Sequence, residues 1–166
     1  MLHTTYCGKM FSIVTKNPEA TKQAGKNLGQ NLSPGSIVAL TGELGSGKTT
    51  LVQGIGEGLR IRSLIKSPSF VIINEYDGPL PLYHFDLYRL DNAEEILGLG
   101  CEEYFYEKRG VVIIEWAKKI KDFLPEEYLE INLKIVNLSK RKISGQAYGA
   151  SYKEVMKKME KLFCSC

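Results

Sequence analysis

The chain has 166 residues, the length of one ordinary domain, with 43% hydrophobic and 25% charged residues, a balance that allows a buried core. Its longest apolar runs, such as VVII at 111–114, fall far below the roughly 20 residues needed to cross a bilayer. The opening MLHTTYCGKM lacks a basic start followed by an apolar stretch, so no membrane association and a cytoplasmic location are expected.

MFSIVT (10–15) reads as a short strand. Asn17 then caps a helix whose first position is Pro18, where a missing N–H costs nothing. Ala20, Ala24, Leu28 and Leu32 share one side of that helix, and SPGS (33–36) ends it. IVAL (37–40) is apolar without alternation, the pattern of a strand buried on both faces. A glycine-rich loop follows at once, and TTLVQGIGEGL (49–59) reads as a helix weakened by three glycines. After the loop RIRSLIKSPS (60–69), the segments FVIINEY (70–76) and LPLYHFDLYRL (80–90) form an antiparallel hairpin across Asp77-Gly-Pro79. DNAEEILGLGCEEYFYEK (91–108) is mostly helical, and VVIIE (111–115) is a second buried strand. YLEINLKIV (128–136) and RKISGQAYG (141–149) alternate as another hairpin. SYKEVMKKMEKLF (151–163) is an amphipathic helix with Ser151 and Glu154 at capping-box spacing, and docking onto its own domain is the expected role of its apolar stripe. Strands alternating with helices, then hairpins, imply an α/β sandwich with a mixed sheet.

The chemistry begins at residues 42–50. Gly42-Glu43-Leu44-Gly45-Ser46-Gly47-Lys48-Thr49 fits G-x-x-x-x-G-K-[ST] at every fixed position. Glycines there let main-chain N–H groups close around phosphate oxygens, and the helix that follows adds its positive end. Lys48 is expected to reach the β- and γ-phosphates of a nucleotide, the Thr49 hydroxyl to ligate Mg2+, and Thr50 to bond an earlier phosphate. The motif lies between a buried-strand pattern and a helix, as that mechanism requires.

Such sites place a carboxylate at the end of a neighbouring strand to serve the metal. Glu115 closes VVIIE in that layout. Asp86 competes: alternation puts His84, Asp86 and Tyr88 on one strand face, where a His–Asp hydrogen bond is also ordinary decoration. Pro68 stiffens a loop that delivers the Ser69 hydroxyl, as switch loops do. The four cysteines, Cys7, Cys101, Cys164 and Cys166, form no metal-binding pattern and are expected to be reduced thiols. A net charge of +3 does not by itself argue for nucleic acid.

GELGSGKTT, SPSF, YHFDLYRL and IEW, in this order and spacing, resemble the TsaE (YjeE) family, over about residues 11–149. The resemblance implies a P-loop NTPase-like three-layer sandwich over 1–149, with 150–166 as a helical extension. It implies a Mg2+-dependent ATPase, slow on its own, that serves tRNA threonylcarbamoyladenosine modification by acting on TsaB and TsaD; direct contact with tRNA stays open. Lys48 then binds phosphate, Thr49 and Glu115 hold Mg2+, Asp86 supports hydrolysis and Ser69 belongs to a switch-like loop. Trp116 matches the family's tryptophan, with core packing its expected role. Ser69 stands where the family usually has Thr, and Ala117 where it often has Pro. The alternatives are a small-molecule or nucleoside kinase, with Arg60, Arg62 or Arg89 near an acceptor, and a nucleotide-gated binding module. A GTPase is disfavoured because no [NT]-K-x-D run is present to read guanine.

Overall fold

The computed structural model of the chain describes residues 10–67, 72–107 and 109–163. Its strands are β1 (Met10–Thr15), β2 (Ile37–Thr41), β3 (Ile73–Tyr76), β4 (Leu82–Asp86), β5 (Val111–Glu115), β6 (Tyr128–Ile135) and β7 (Arg141–Tyr148). The helices are α1 (Pro18–Gly29), α2 (Lys48–Gly58), α3 (Ala93–Leu97) and α4 (Lys153–Phe163). A π-turn spans Glu103–Glu107 and a kinked 3-10 segment spans Ala117–Phe123. The stretch 91–108 is mostly helical, as expected, but broken in two, because Gly98 caps α3 and Gly100, at φ +72°, takes a conformation no helix continues. Cys7, Cys164 and Cys166 lie outside the described residues, as do Pro68 and Ser69; Cys101 is buried and unbridged. Among the described residues no helix is long and apolar enough to cross a membrane.

The strands form one mixed sheet in the order β1-β7-β6-β2-β5-β4-β3. Central β2 runs parallel to β5 and β6, and β4 runs parallel to β5. Both flanks close with antiparallel pairs, β6–β7–β1 on one side and the expected β3–β4 hairpin on the other. The lack of alternation in β2 and β5 has its cause in two covered faces. Val38, Leu40, Val111 and Ile113 pack under α1, α2 and α4, while Ile37, Ala39, Val112 and Ile114 pack with Phe85, Ile96, Phe105 and Ile120 on the opposite side. The result is the expected three-layer α/β arrangement.

The glycines of α2 have a use that local propensity hides. A β-carbon on Gly54 would collide with the Lys22 carbonyl oxygen of α1, and one on Gly25 with the Leu51 carbonyl of α2. The helices thus approach at backbone distance, which holds α2 and the loop before it against the sheet. Gly54→Ala is expected to destabilise the protein by about 3 kcal/mol despite alanine's better helix propensity, because two backbones must separate. Urea denaturation checks this; a gain in stability would mean that the helices do not touch there.

The terminal helix docks as its stripe implies. Tyr152, Met156 and Met159 are buried in the same cluster as Phe11, Leu28 and Ile143, and the Tyr152 hydroxyl accepts from the Ile37 N–H at 2.7 Å. The expected capping box does not form: the Ser151 hydroxyl bonds Glu127 instead, and Glu127 also accepts from the Ala150 N–H. A long-range acid competes successfully with the local one.

Candidate functional site

The parallel strands β2, β4 and β5 end at one edge of the sheet, and the glycine-rich loop leaves that edge. Gly42, Gly45 and Gly47 all have positive φ (142°, 76° and 98°), so the loop folds back on itself before α2 begins. Gly47 is the N-cap of α2 and supplies no side-chain hydrogen bond, whereas Asn17 and Asn92 cap α1 and α3. The first amides of α2 therefore have no capping side chain in front of them. Ser46 is fully buried, and its hydroxyl finds no partner among the described residues.

Lys48, the first residue of α2, is 5% exposed. Its Nζ donates to the Gly42 and Glu43 carbonyls, both at 2.9 Å, and lies 4.0 Å from the centroid of the Trp116 ring. Burial pulls the ammonium pKa down, and the carboxylates of Glu115, Asp86 and Glu43 pull it back up. Thr49 donates its hydroxyl hydrogen to Glu115 Oε1 at 3.0 Å. Glu115 is the last residue of β5 and is buried, and the β4–β5 register sets Asp86 beside it.

The His84–Asp86 hydrogen bond, weighed above as the decorative alternative, does not form. His84 Nε2 lies 2.9 Å from Glu115 Oε1, so the histidine on β4 serves the acid on β5. Asp86 Oδ1 instead accepts from the Tyr88 N–H at 3.0 Å, closing a turn just past β4. Burial raises the Asp86 pKa above the ordinary carboxylate value, the Tyr88 N–H resists the rise, and Glu115 adds to it.

Gly45, Gly47, Lys48, Thr49, Thr50, Asp86 and Glu115 line one cleft of about 460 Å³, joined by Leu44, Ser67, Tyr88, Arg89 and Trp116. Gly42 and Glu43 border an adjoining cleft of about 500 Å³ with Lys119 and Asn132. Ser69 lies outside the described residues. Of the arginines weighed above, Arg89 borders the first cleft, while Arg60 and Arg62 do not.

Three features escape a reading of the sequence. Trp116 is half-buried rather than core: it turns out of β5 at φ 62°, ψ 33°, and its ring meets Lys48 and, at 5.0 Å, Tyr88. Lys119 Nζ donates to the Tyr88 and Leu90 carbonyls at 2.7 and 2.6 Å and holds the chain after Asp86. Arg141 bonds carbonyls of its own hairpin and reaches Gly45 O at 3.3 Å, which ties β7 to the glycine loop. A left-handed tryptophan and two long-range lysine and arginine contacts leave no local pattern by which to find them.

The donor set fits a nucleotide with Mg2+. Uncapped amides and a buried ammonium suit phosphate oxygens. No group of three or more His, Cys, Asp or Glu side chains gathers for a metal among the described residues. Mg2+ keeps waters and phosphate oxygens and needs few protein ligands. Thr49, with its hydrogen committed to Glu115, keeps its lone pairs for a cation.

Comparison with known proteins finds relatives along most of the chain. A family model described as "Threonylcarbamoyl adenosine biosynthesis protein TsaE" matches residues 15–143. The tRNA threonylcarbamoyladenosine biosynthesis protein TsaE of Bacillus subtilis is 43% identical over 154 residues, covering 92% of this chain and 96% of that protein. The protein of the same name from Nostoc is 44% identical over 129 residues, covering 75% and 78%. The crystal structure of Bacillus subtilis YdiB superposes with a TM-score of 0.82 at 37% identity, covering 95% of this chain and 99% of that one. With a P-loop NTPase-like fold and these relatives, the chain belongs to the TsaE family of tRNA threonylcarbamoyladenosine biosynthesis.

Proposed function

We propose that the protein binds ATP with Mg2+ in the cleft between the glycine loop and the ends of β4 and β5, hydrolyses it, and thereby acts on a complex of TsaB and TsaD in the cytoplasm. The observation that carries this reading is the convergence of Lys48, Thr49, Asp86 and Glu115 at one sheet edge. Lys48 would exchange its two loop carbonyls for β- and γ-phosphate oxygens, a stronger, charge-assisted pairing. Mg2+, when bound, would supply positive charge that offsets the charge of the phosphates. Thr49 and Glu115 would hold it, with Glu115 already anchored at Oε1. Asp86 is the remaining carboxylate in the cleft, and its raised pKa suits a group that takes a proton. It would orient the attacking water; as the water oxygen bonds the γ-phosphorus, the bond to the ADP oxygen breaks, and the released proton passes through Asp86 to solvent. Ser67 borders the cleft, and Ser69, two positions on in the sequence, would offer its hydroxyl.

Measured alone, ATP turnover is expected to be slow, and to accelerate when TsaB and TsaD are added. A pull-down with those proteins in ADP and in a non-hydrolysable ATP analogue tests the association. No association in either state would overturn the reading. Phosphate transfer from ATP to a small acceptor, with none to water, would establish the kinase alternative instead.

A further inference from the structure

Glu115 is the one acid in the cleft whose carboxylate is anchored by a neighbouring strand. Oε1 receives Thr49 Oγ1 at 3.0 Å and His84 Nε2 at 2.9 Å. Two donors occupy the lone pairs of that oxygen, so Oε2 is the oxygen left for a cation or its water. The His84 side chain is 0% exposed, and its Nδ1 finds no partner among the described residues. Burying an imidazole with one nitrogen unsatisfied is costly, and an apolar residue at this position would avoid the cost.

The register shows what the histidine does. Asp86 sits level with Glu115 across the β4–β5 ladder, yet Glu115 bonds His84, which pairs with Ile113. The two carboxylates therefore end beside each other while one of them is held from behind. A glutamate's terminal torsion is broad and would not hold that direction unaided.

We propose that His84 is a positioning residue: its Nε2–H fixes Glu115 Oε1 against the Thr49 hydroxyl, keeps that carboxylate apart from Asp86, and presets its free oxygen for the divalent cation. This rests on the Mg2+–nucleotide reading above. It assigns the histidine to the metal side of the site and leaves Asp86 to the water.

The test compares His84→Leu, which removes the donor, with His84→Gln, whose amide N–H extends toward the place of Nε2. A fluorescent ATP analogue is titrated at rising Mg2+ and again in EDTA. His84→Leu is expected to need about tenfold more Mg2+ for half-maximal enhancement of binding, the usual scale for loss of a group that orients a metal ligand. His84→Gln is expected to recover most of the shift, with affinities in EDTA within about twofold of the parent for both. In a Glu115→Ala background, His84→Leu is expected to add no further shift. An unchanged Mg2+ midpoint in His84→Leu overturns the proposal, as does a His84→Gln variant as impaired as His84→Leu. Should His84→Leu fail to fold, His84→Asn replaces it, since its amide reaches only the Nδ1 position. If the parent protein shows no Mg2+ dependence, the nucleotide reading falls and this proposal with it; if the parent shows it and the variants do not shift, this proposal alone falls.

Discussion

Lys48→Ala is expected to weaken ATP binding on the order of 100-fold, equivalent to about 3 kcal/mol. The side chain is nearly inaccessible, is held by Gly42 O and Glu43 O at 2.9 Å, and is the first residue of α2, so its ammonium sits where phosphate oxygens would converge. Removing it strips that seat of a cation, and solvent has little room to replace it. Lys48→Met separates charge from packing, because it keeps an apolar stem against the Trp116 ring. Both variants are expected to lose binding alike, with Lys48→Met closer to the parent in Tm. The chain has a single tryptophan, so its fluorescence can follow the titration without a label. A Kd unchanged in both variants would show that phosphate does not sit beside Lys48.

Asp86→Asn is expected to lower ATP hydrolysis at least on the order of 100-fold while leaving ATP affinity within a few-fold. The same substitution is expected to raise Tm at neutral pH. The sign follows from the shift: burial holds the folded-state pKa of Asp86 above its ordinary value of 3.8. The unfolded chain therefore ionises more readily than the folded one, and ionised Asp86 costs stability at every pH above the folded-state value. Asparagine keeps an oxygen to accept the Tyr88 N–H but carries no charge. The variant's advantage in Tm should shrink as pH falls through the folded-state value and disappear below 3.8, where the parent carboxyl is protonated in both states. Glu115→Ala makes the contrast, since it should reduce the Mg2+ dependence of binding as well as turnover. Steady-state hydrolysis, binding at several Mg2+ concentrations and thermal melts at two pH values separate the two acids. If Asp86→Asn and Glu115→Ala behave alike in all three, the division of labour between the carboxylates is wrong.

The strands, the first helix and the phosphate loop were legible because each is written locally. Asn17-Pro18 starts α1, unbroken apolar runs mark β2 and β5, and the glycine spacing at 42–47 dictates a loop that folds back on itself. Glu115 was legible for the same reason, as an acid closing a buried run. What stayed hidden is pairing across the sheet. His84 and Asp86 share a strand face, which favours a bond between them, but Glu115 lies on the adjacent strand within reach of His84 and takes that bond. Gly54 and Gly58 of α2 looked like a weakness, because their benefit lies in another helix; close approach to the Lys22 and Lys26 carbonyls of α1 turns them into a requirement. Ser151 likewise had a local partner in Glu154 and found a distant one in Glu127. In each case a short-range rule was outcompeted by a neighbour that only the fold supplies.

Trp116 pays a toll at every folding event. A side chain of that bulk in a left-handed backbone costs roughly 1–2 kcal/mol, and glycine in its place would relieve it. The indole nonetheless covers an ammonium and a tyrosine ring that a glycine would leave bare. Natural or directed variation at this position is thus caught between a sturdier scaffold and a working lysine, and a search for thermostability alone would select away the ring.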